Sequence, residues 1–276
     1  MRKKLNNEYR SAKKMRYMPG LDGLRAIAVI GIIIYHLNKQ WLTGGFLGVD
    51  TFFVISGYLI TSLLLKEYED TGTINLKNFW IRRIKRLLPA VFALIVVVGI
   101  ATLLFHPEHI VRVKHDMIAA IFYVSNWWYI AKDVNYFEQF SFMPLKHLWS
   151  LAIEEQFYLF FPAILLLFMA IVKKKKNVIL MFWIISLVSL LMMVVISQPH
   201  LNHSRVYFGT DTRAFSLLVG VVGAILYPME RLHSKVTPQQ NMIYSILSLV
   251  SIAGLITVMI YTSEYNTWLY RGGFLL

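Results

Sequence analysis

The sequence has 276 residues, of which 57% are hydrophobic and only 16% are charged, and this balance excludes a soluble domain with a polar surface. It contains no cysteine, which excludes disulfides, thiolate nucleophiles and cysteine-based metal sites. The formal net charge of +13 suits a polytopic membrane protein that retains its positive loops in the cytoplasm. We therefore predict an all-α, multi-span helical bundle in the cell membrane, and no binding to nucleic acid.

The chain begins with a basic arm, residues 1–19, whose seven lysines and arginines against one glutamate predict a cytoplasmic N-terminus. The apolar span 20–37 follows and contains Asp22, Arg25 and His36. Arg25 and His36 are eleven residues apart, about 20° beyond three full turns, and Asp22 lies on the same face. Ionisable groups in a span are costly and normally face the bundle, so we predict a functional stripe. The alternative is that Asp22 and Arg25 only sit at the water interface.

A second span, 45–65, is predicted to return to the cytoplasm and to pack closely at its glycines. The loop 66–86 ends in a basic cluster just before the third span, 87–105. The members of this cluster are Arg82, Arg83, Lys85 and Arg86. Such a cluster is typical of contact with anionic lipid headgroups or with a phosphorylated cytosolic ligand.

The stretch 117–131 is apolar and aromatic but only about 15 residues long, which is short for a span. Two later spans, 148–172 and 178–197, are separated by four lysines at 173–176, which favour the cytoplasm. A complete crossing at 117–131 would place these lysines outside. We therefore predict a re-entrant or interfacial segment there, with 132–147 on the outer side.

Polar residues are concentrated at the start of the span that follows His147, where Glu154 and Glu155 are adjacent. Neighbouring helical residues point about 100° apart, so one carboxylate should face the bundle and the other a cavity or a second partner. A carboxylate beside a histidine can orient the imidazole for general-base catalysis. The alternatives are a buried ion pair with Arg25 or Arg213, and a proton relay in a transporter.

Two further spans are predicted at 212–228 and 242–262, with Arg231 and Lys235 on the cytoplasmic side between them. Another apolar stretch begins at Trp268, and the sequence ends before it could cross the membrane. This length predicts that further spans of the same membrane domain are missing from the chain.

The outer loops contribute Tyr136, Tyr207, Asp211 and Arg213. Tyrosines at such positions usually form an interfacial aromatic belt. The predicted topology, however, places all four residues on the same outer side as His36, which makes them candidates for a site.

Several familiar catalytic patterns are missing from the sequence. There is no P-loop, nucleophile elbow, HExxH motif or zinc-ligand spacing, so no metal site is predicted. His106, His109 and His115 are interpreted as loop residues.

Five motifs occur in a characteristic order: GLDGLRAIAVIGIIIYH, GVDTFFVISGYLI, RRIKRLLP, HLWSLAIEEQFYLFFP and YFGTDTRAF. With them the chain resembles the membrane acyltransferase-3 family over residues 20–276, and most closely the N-terminal membrane domain of bacterial OatA-type peptidoglycan O-acetyltransferases. One difference is Asn135, where relatives often have aspartate before Tyr-Phe. The resemblance implies a domain that lacks its last spans and an extracytoplasmic SGNH domain.

The resemblance implies acetyl transfer from cytosolic acetyl-CoA to a hydroxyl of an envelope glycan outside, with no permanently bound cofactor. Peptidoglycan is the first acceptor, and another surface polysaccharide or a lipid-linked sugar is the alternative. His36, with Asp22 and Arg25, would act as general base or transient acyl carrier, oriented or recharged by Glu154 or Glu155. The alternative from another class is a proton-coupled transporter, although no two related halves are apparent.

The same resemblance implies roles for residues at the cytoplasmic end and at the outer end of the helical bundle. The residues that would hold the phosphates of coenzyme A are Arg82, Arg83 and Arg86. The residues that would receive or relay the acetyl group on the acceptor side are Tyr136, Tyr207, Asp211 and Arg213. The implied partners are acetyl-CoA, the glycan, the lipid bilayer and the SGNH domain.

Overall fold

The computed structural model describes residues 18–137, 142–172, 174–197, 203–229 and 237–275. Within these ranges the regular elements are helices and no strand is present. In chain order the α-helices are α1 (Pro19–Leu37), α2 (Gly48–Thr71), α3 (Leu76–Phe105), α4 (Ile110–Ile121), α5 (Ser125–Ala131), α6 (Leu148–Ile171), α7 (Lys175–Ile196), α8 (Ser204–Phe208), α9 (Thr210–Leu226), α10 (Pro238–Tyr261) and α11 (Thr267–Tyr270). Short 3₁₀ turns occur at Gly45–Leu47, Pro107–His109 and Gly273–Leu275.

Six described helical segments are long and apolar enough to cross a membrane, which confirms the predicted all-α, multi-span fold. They are α1, α2 with the turn before it, α3, α6, α7 and α10. Large apolar side chains on these helices face outward, for example Leu104, Val195 and Leu249, which are 69–79% exposed. Such a surface is stable against lipid rather than water.

Helix α9, which corresponds to the predicted span 212–228, is shorter at 17 residues and is buried along most of its length. It packs chiefly against α2 and α7. Glycines allow the α2 and α9 backbones to meet: a Cβ on Gly57 would lie 1.9 Å from the Leu217 carbonyl oxygen, and one on Gly220 would lie 2.0 Å from that of Val54. The close packing predicted at the glycines of span 45–65 is thus confirmed at Gly57.

The segment predicted as re-entrant or interfacial forms two short helices, α4 and α5, instead of one span. The longer of them, α4, has 12 residues and is therefore about 18 Å long, less than the hydrocarbon thickness of a bilayer. The chain breaks between them at Tyr123, whose φ of 52° is uncommon for a residue with a side chain. Gln156 Nε2 of α6 donates to the Tyr123 carbonyl oxygen at 2.8 Å, which fixes this break against the bundle.

The basic cluster lies within α3 and not in a loop before it. The predicted loop 66–86 is short because α2 continues to Thr71 and α3 begins at Leu76. Gly72, with a φ of 76°, ends α2, and the Asn75 side chain caps α3 by accepting from the backbone N–H of Asn78 at 3.0 Å.

Part of the charge pattern behind the predicted topology lies outside the described residues. This part comprises residues 1–17 of the basic arm, Lys173, Arg231 and Lys235. The assignment of inner and outer sides therefore stays a prediction.

Candidate active site

His36 is the penultimate residue of α1, and its ring is held from two sides. Its Nδ1 lies 2.8 Å from the carbonyl oxygen of Ile32. Because a carbonyl oxygen only accepts, Nδ1 carries the proton and Nε2 keeps the free lone pair of the neutral ring. The ring also meets that of His147 edge-on, with centroids 4.5 Å apart, and that of Tyr136 at 6.3 Å. This arrangement presents Nε2 as a general base or nucleophile.

Arg25 and Asp22 form an ion pair of 3.4 Å, with side chains that are 37% and 45% exposed. Eleven residues of helix separate Arg25 from His36, or about 17 Å along the axis, so the two side chains share a face without contact. Arg25 instead lies close enough to Glu154 to act on its carboxylate electrostatically. The Arg25 Nε atom is buried and has no hydrogen-bond partner among the described residues.

Glu154 lines a mostly apolar cavity of about 220 Å³ between α1, α2 and α6. Its Oε1 accepts a hydrogen bond from Ser56 Oγ at 2.8 Å. Ile32 and Phe53 form part of the opposite wall. Ile32 thus lines the cavity of Glu154 and, through its carbonyl oxygen, also holds the His36 ring.

Glu155 lines a second cavity, of about 330 Å³, together with Arg83, Tyr123 and Tyr158. The guanidinium of Arg83 lies 4.4 Å from the centroid of the Tyr158 ring. The Oε1 atom of Glu155 is buried without a hydrogen-bond partner in the described part of the chain. The two adjacent carboxylates thus serve two different cavities, as expected from their offset of about 100° around the helix.

The other members of the basic cluster lie elsewhere. Arg82 forms an exposed ion pair with Glu67 at 3.3 Å, and Arg86 is exposed. Of the three arginines expected to hold coenzyme A, the structure brings Arg83 alone to the Glu155 cavity.

Tyr136 and Tyr207 form the centre of a buried aromatic cluster. Their rings lie 4.4 Å apart, and Trp149 packs 4.8 Å from Tyr207. The Tyr207 hydroxyl donates to the Phe46 carbonyl oxygen at 3.0 Å. Exposures of 4% and 0% exclude an interfacial belt for these tyrosines, and burial raises the pKa of both phenols, so both are neutral at physiological pH.

Arg213 is fully buried beneath this aromatic cluster. Its Nη2 donates to Asp50 Oδ2 at 2.6 Å, and Ser216 Oγ donates to the other oxygen of that carboxylate at 3.0 Å. The guanidinium lies 4.7 Å from the centroid of the Tyr207 ring, and its Nε and Nη1 have no hydrogen-bond partner among the described residues. Arg213 is thus an ion-pair partner of Asp50, not of a glutamate of α6, and the sequence analysis did not single out Asp50 as its partner.

Asp211 turns away from Arg213 because residues two apart on a helix do not face each other. It forms a double hydrogen bond with Arg205, at 2.7 and 3.1 Å. Asp211 therefore belongs to the first turn of α9, where it ties α8 to α9, and lies apart from the Arg213 pair.

His147, at the start of α6, is the closest described ring partner of His36. Burial, and then the charges of His36 and Lys146, lower the pKa of His147 to about 4, although part of its surface remains exposed. Lys146 is itself buried, and its Nζ donates to the Tyr136 carbonyl oxygen at 3.0 Å. The sequence places His147 shortly before Glu154 and Glu155, but only the fold shows that its ring contacts that of His36. The described residues contain no group of three or more histidines and acids placed to hold a metal ion.

Comparison with known proteins identifies a family over nearly the whole chain. The family model described as "Acyltransferase domain" matches residues 18–276. A Staphylococcus aureus protein (strain MSSA476), provisionally named an O-acetyltransferase, is 65% identical over 266 residues, which are 96% of this chain and 44% of that protein.

The O-acetyltransferase OatA of Staphylococcus aureus (strain NCTC 8325 / PS 47) is 54% identical over 270 residues, which are 97% of this chain and 45% of that protein. The chain therefore spans less than half the length of these curated relatives. No solved structure matches it.

Proposed function

The chain belongs to the acyltransferase-3 family, and from this membership we propose that it is a membrane acetyltransferase that passes acetyl groups from cytosolic acetyl-CoA to the extracytoplasmic side. The proposed acceptor is a hydroxyl of an envelope glycan. Peptidoglycan comes first because the motifs resemble those of OatA-type peptidoglycan O-acetyltransferases. Another surface polysaccharide or a lipid-linked sugar is the alternative.

One observation carries the proposal: polar groups follow one another through the bundle. Arg83 and Glu155 share the larger cavity, of about 330 Å³, and Glu154, the preceding residue of α6, lines the smaller one with Ile32. The Ile32 carbonyl holds His36, and His36 meets Tyr136. The proposed topology, with a cytoplasmic N-terminus, places Arg83 at the inner end of this series and Tyr136 at the outer end.

At the inner end, the arginines of α3 would bind the phosphates of coenzyme A. A guanidinium suits this task because its planar N–H groups match phosphate oxygens. Arg83 would take the central position, since it lines the cavity, and the exposed Arg82 and Arg86 would add positive charge on the surface of the same helix. The pantetheine arm would then enter between α3 and α6.

At the centre, His36 Nε2 would act as the general base. It would take the proton of the attacking hydroxyl while the oxygen bonds to the thioester carbonyl carbon. The carbon–sulfur bond then breaks, and the proton passes from His36 to the departing thiolate, which leaves as coenzyme A thiol. Glu154 is positioned to exchange a proton through the cavity it shares with Ile32. In the acyl-carrier alternative, Nε2 itself would hold the acetyl group for one step.

At the outer end, Tyr136 and Tyr207 would receive the acetyl group and relay it. Arg213 would stabilise negative charge that develops on Tyr207, because its guanidinium lies over that ring. Asp50 would hold Arg213 in place. An SGNH domain in the full-length protein would complete the transfer to the glycan.

The test uses inside-out vesicles that hold the protein, with labelled acetyl-CoA supplied at the cytoplasmic face. We expect label on the protein or on a glycan acceptor, and we expect His36→Ala to reduce its transfer by about 10²–10⁴-fold, the usual contribution of a general base. His109→Ala, a change at a partly exposed histidine outside the cavities, is the matched control.

Undiminished transfer by His36→Ala would contradict the assignment of the central residue. Label that crosses the vesicle membrane without becoming covalently attached would favour a transporter instead.

A further inference from the structure

A third cavity, of about 350 Å³, shares no lining residue with the cavities of Glu154 and Glu155 and has its own charged lining. Arg112, His115 and Asp116 come from α4, whereas Trp128 and Lys132 come from α5 and the residue after it. None of these five residues has a part in holding coenzyme A or His36. The cavity is therefore available to a different molecule.

Asp116 is the most unusual group in this cavity because its carboxylate is only partly satisfied. The residue is 2% exposed, and Oδ1 accepts a hydrogen bond from Trp128 Nε1 at 2.8 Å. Oδ2 is buried and has no hydrogen-bond partner among the described residues. Buried polar atoms are normally paired, so the cavity calls for a ligand that brings a donor such as a hydroxyl.

The remaining charges of the lining are positive. Lys132 Nζ lies 4.8 Å from the centre of the Trp128 ring, and the His115 ring is parallel to that ring at 5.7 Å. Arg112 attracts the Asp116 carboxylate electrostatically, but neither Arg112 nor Lys132 forms a salt bridge within the described ranges, so both cations can bind an anion in the cavity. A ligand that fits must therefore carry an acidic group for the cations and a hydroxyl for Asp116.

Two apolar residues connect this cavity with the relay tyrosines. Val134 and Met143 complete its wall. Val134 lies two residues before Tyr136, and Met143 packs in the same buried cluster as Tyr136. A ligand in the cavity would thus lie beside the outer end of the acetyl path.

We propose that this cavity is a binding subsite for an acidic, hydroxyl-bearing sugar unit of the acceptor glycan. One sugar hydroxyl donates to Asp116 Oδ2, and the sugar carboxylate binds Arg112 and Lys132. The identification of the sugar as part of the acceptor rests on the proposed function, whereas the binding itself does not. Trp128, whose ring also contacts His115 and Lys132, donates the hydrogen bond that positions the Asp116 side chain.

The test measures binding of two small sugars to the protein in phosphatidylcholine nanodiscs, without acetyl-CoA. Methyl β-D-glucuronide carries the carboxylate, and methyl β-D-glucoside is the same ring without it. We expect the glucuronide alone to bind, more weakly as salt rises, because two cations meet its carboxylate. Asp116→Asn should weaken its binding about tenfold, the usual effect of losing one hydrogen bond to a charged group.

Two sets of variants complete the test. Arg112→Gln with Lys132→Gln should remove the preference for glucuronide, whereas Lys114→Gln and Asp133→Asn, at exposed residues outside the cavity, should leave it unchanged. Equal binding of both sugars, or an unchanged affinity in Asp116→Asn, would overturn the proposal. Loss of glucuronide binding when phosphatidylglycerol is added to the nanodiscs would show that a lipid headgroup occupies the cavity, and would also overturn it.

Binding and transfer measured on the unaltered protein separate this proposal from the proposed function. If the unaltered protein binds the glucuronide but transfers no acetyl group, the acetyltransferase proposal is contradicted and the sugar site stands. If it transfers acetyl groups but binds no glucuronide, the sugar site is contradicted and the acetyltransferase proposal stands. His36→Ala should lose acetyl transfer and keep glucuronide binding, because His36 does not line the cavity.

Discussion

The two ends of the proposed acetyl path are built in opposite ways. At the outer end the polar groups are buried and tied to protein partners: Arg213 is bonded to Asp50, and Tyr207 to a backbone carbonyl. At the inner end, Arg83 faces a cavity and Glu155 has a buried oxygen without a partner in the described residues. The outer end is therefore preorganised for chemistry in a fixed geometry, whereas the inner end keeps charge available for a ligand that supplies its own counter-charge.

Removing the carboxylate partner of Arg213 at the outer end should give the largest loss of stability. Asp50→Ala leaves the fully buried Arg213 without its carboxylate, and breaking such a buried pair costs about 3–5 kcal/mol of stability. The loss should appear as a lower thermal unfolding temperature of the detergent-solubilised protein.

The exposed pair on α1 provides the matched control for Asp50. Asp22→Ala removes a carboxylate from an arginine that is 37% exposed, and such pairs contribute at most about 1 kcal/mol. Equal unfolding temperatures of Asp50→Ala and Asp22→Ala would contradict the inference that buried partners hold the outer end in a fixed geometry.

A change at the inner end should leave the stability of the protein unchanged and reduce its affinity for coenzyme A. We expect Arg83→Gln to weaken coenzyme A binding about tenfold, as the loss of one charge-assisted hydrogen bond does, and to reduce the salt dependence of binding. Isothermal titration calorimetry with coenzyme A measures both quantities.

Arg86→Gln distinguishes a cavity residue from general surface charge. Arg86 lies on the same helix but is exposed, so its loss should have the smaller effect. Equal effects of the two variants would favour a diffuse contact with anionic lipid headgroups instead of a defined site.

The smallest effect is expected from acid at His147, because this residue is exposed and solvent screens its charge. His147 has a folded-state pKa of about 4, below the usual value of about 6.5, so between these values the unfolded chain binds a proton that the folded chain does not. The contribution of His147 to stability should be constant above about pH 6.5 and fall as the pH is lowered toward 4. His147→Asn should flatten this part of the profile in thermal unfolding measured from pH 4 to 8, and an unchanged slope would contradict the assignment.

Features that depend on a single helix could be predicted from the sequence. The period of 3.6 residues places Asp22, Arg25 and His36 on one face, and the ion pair of Asp22 with Arg25 is present. The same period separates Glu154 from Glu155, and the structure gives each its own cavity. The short length of the segment 117–131 likewise predicted that it would not form one spanning helix.

Partners that are distant in the chain could not be predicted. Asp50 and Arg213 are 163 residues apart, and Ser56 and Glu154 are 98 apart. Periodicity places a side chain on a face of its own helix, but it does not show which helix lies opposite. For the same reason the contact of His36 with His147 became apparent only in the fold.

Burial of Tyr207 makes its phenolate a poor leaving group, because the raised pKa of the phenol means that the free anion is disfavoured in this environment. An acetyl ester on that oxygen would break slowly unless Arg213 or an entering acceptor stabilised the anion. Such an ester would outlast the departure of coenzyme A and survive denaturation in acid. It could then be found as a mass increase on the peptide that contains Tyr207.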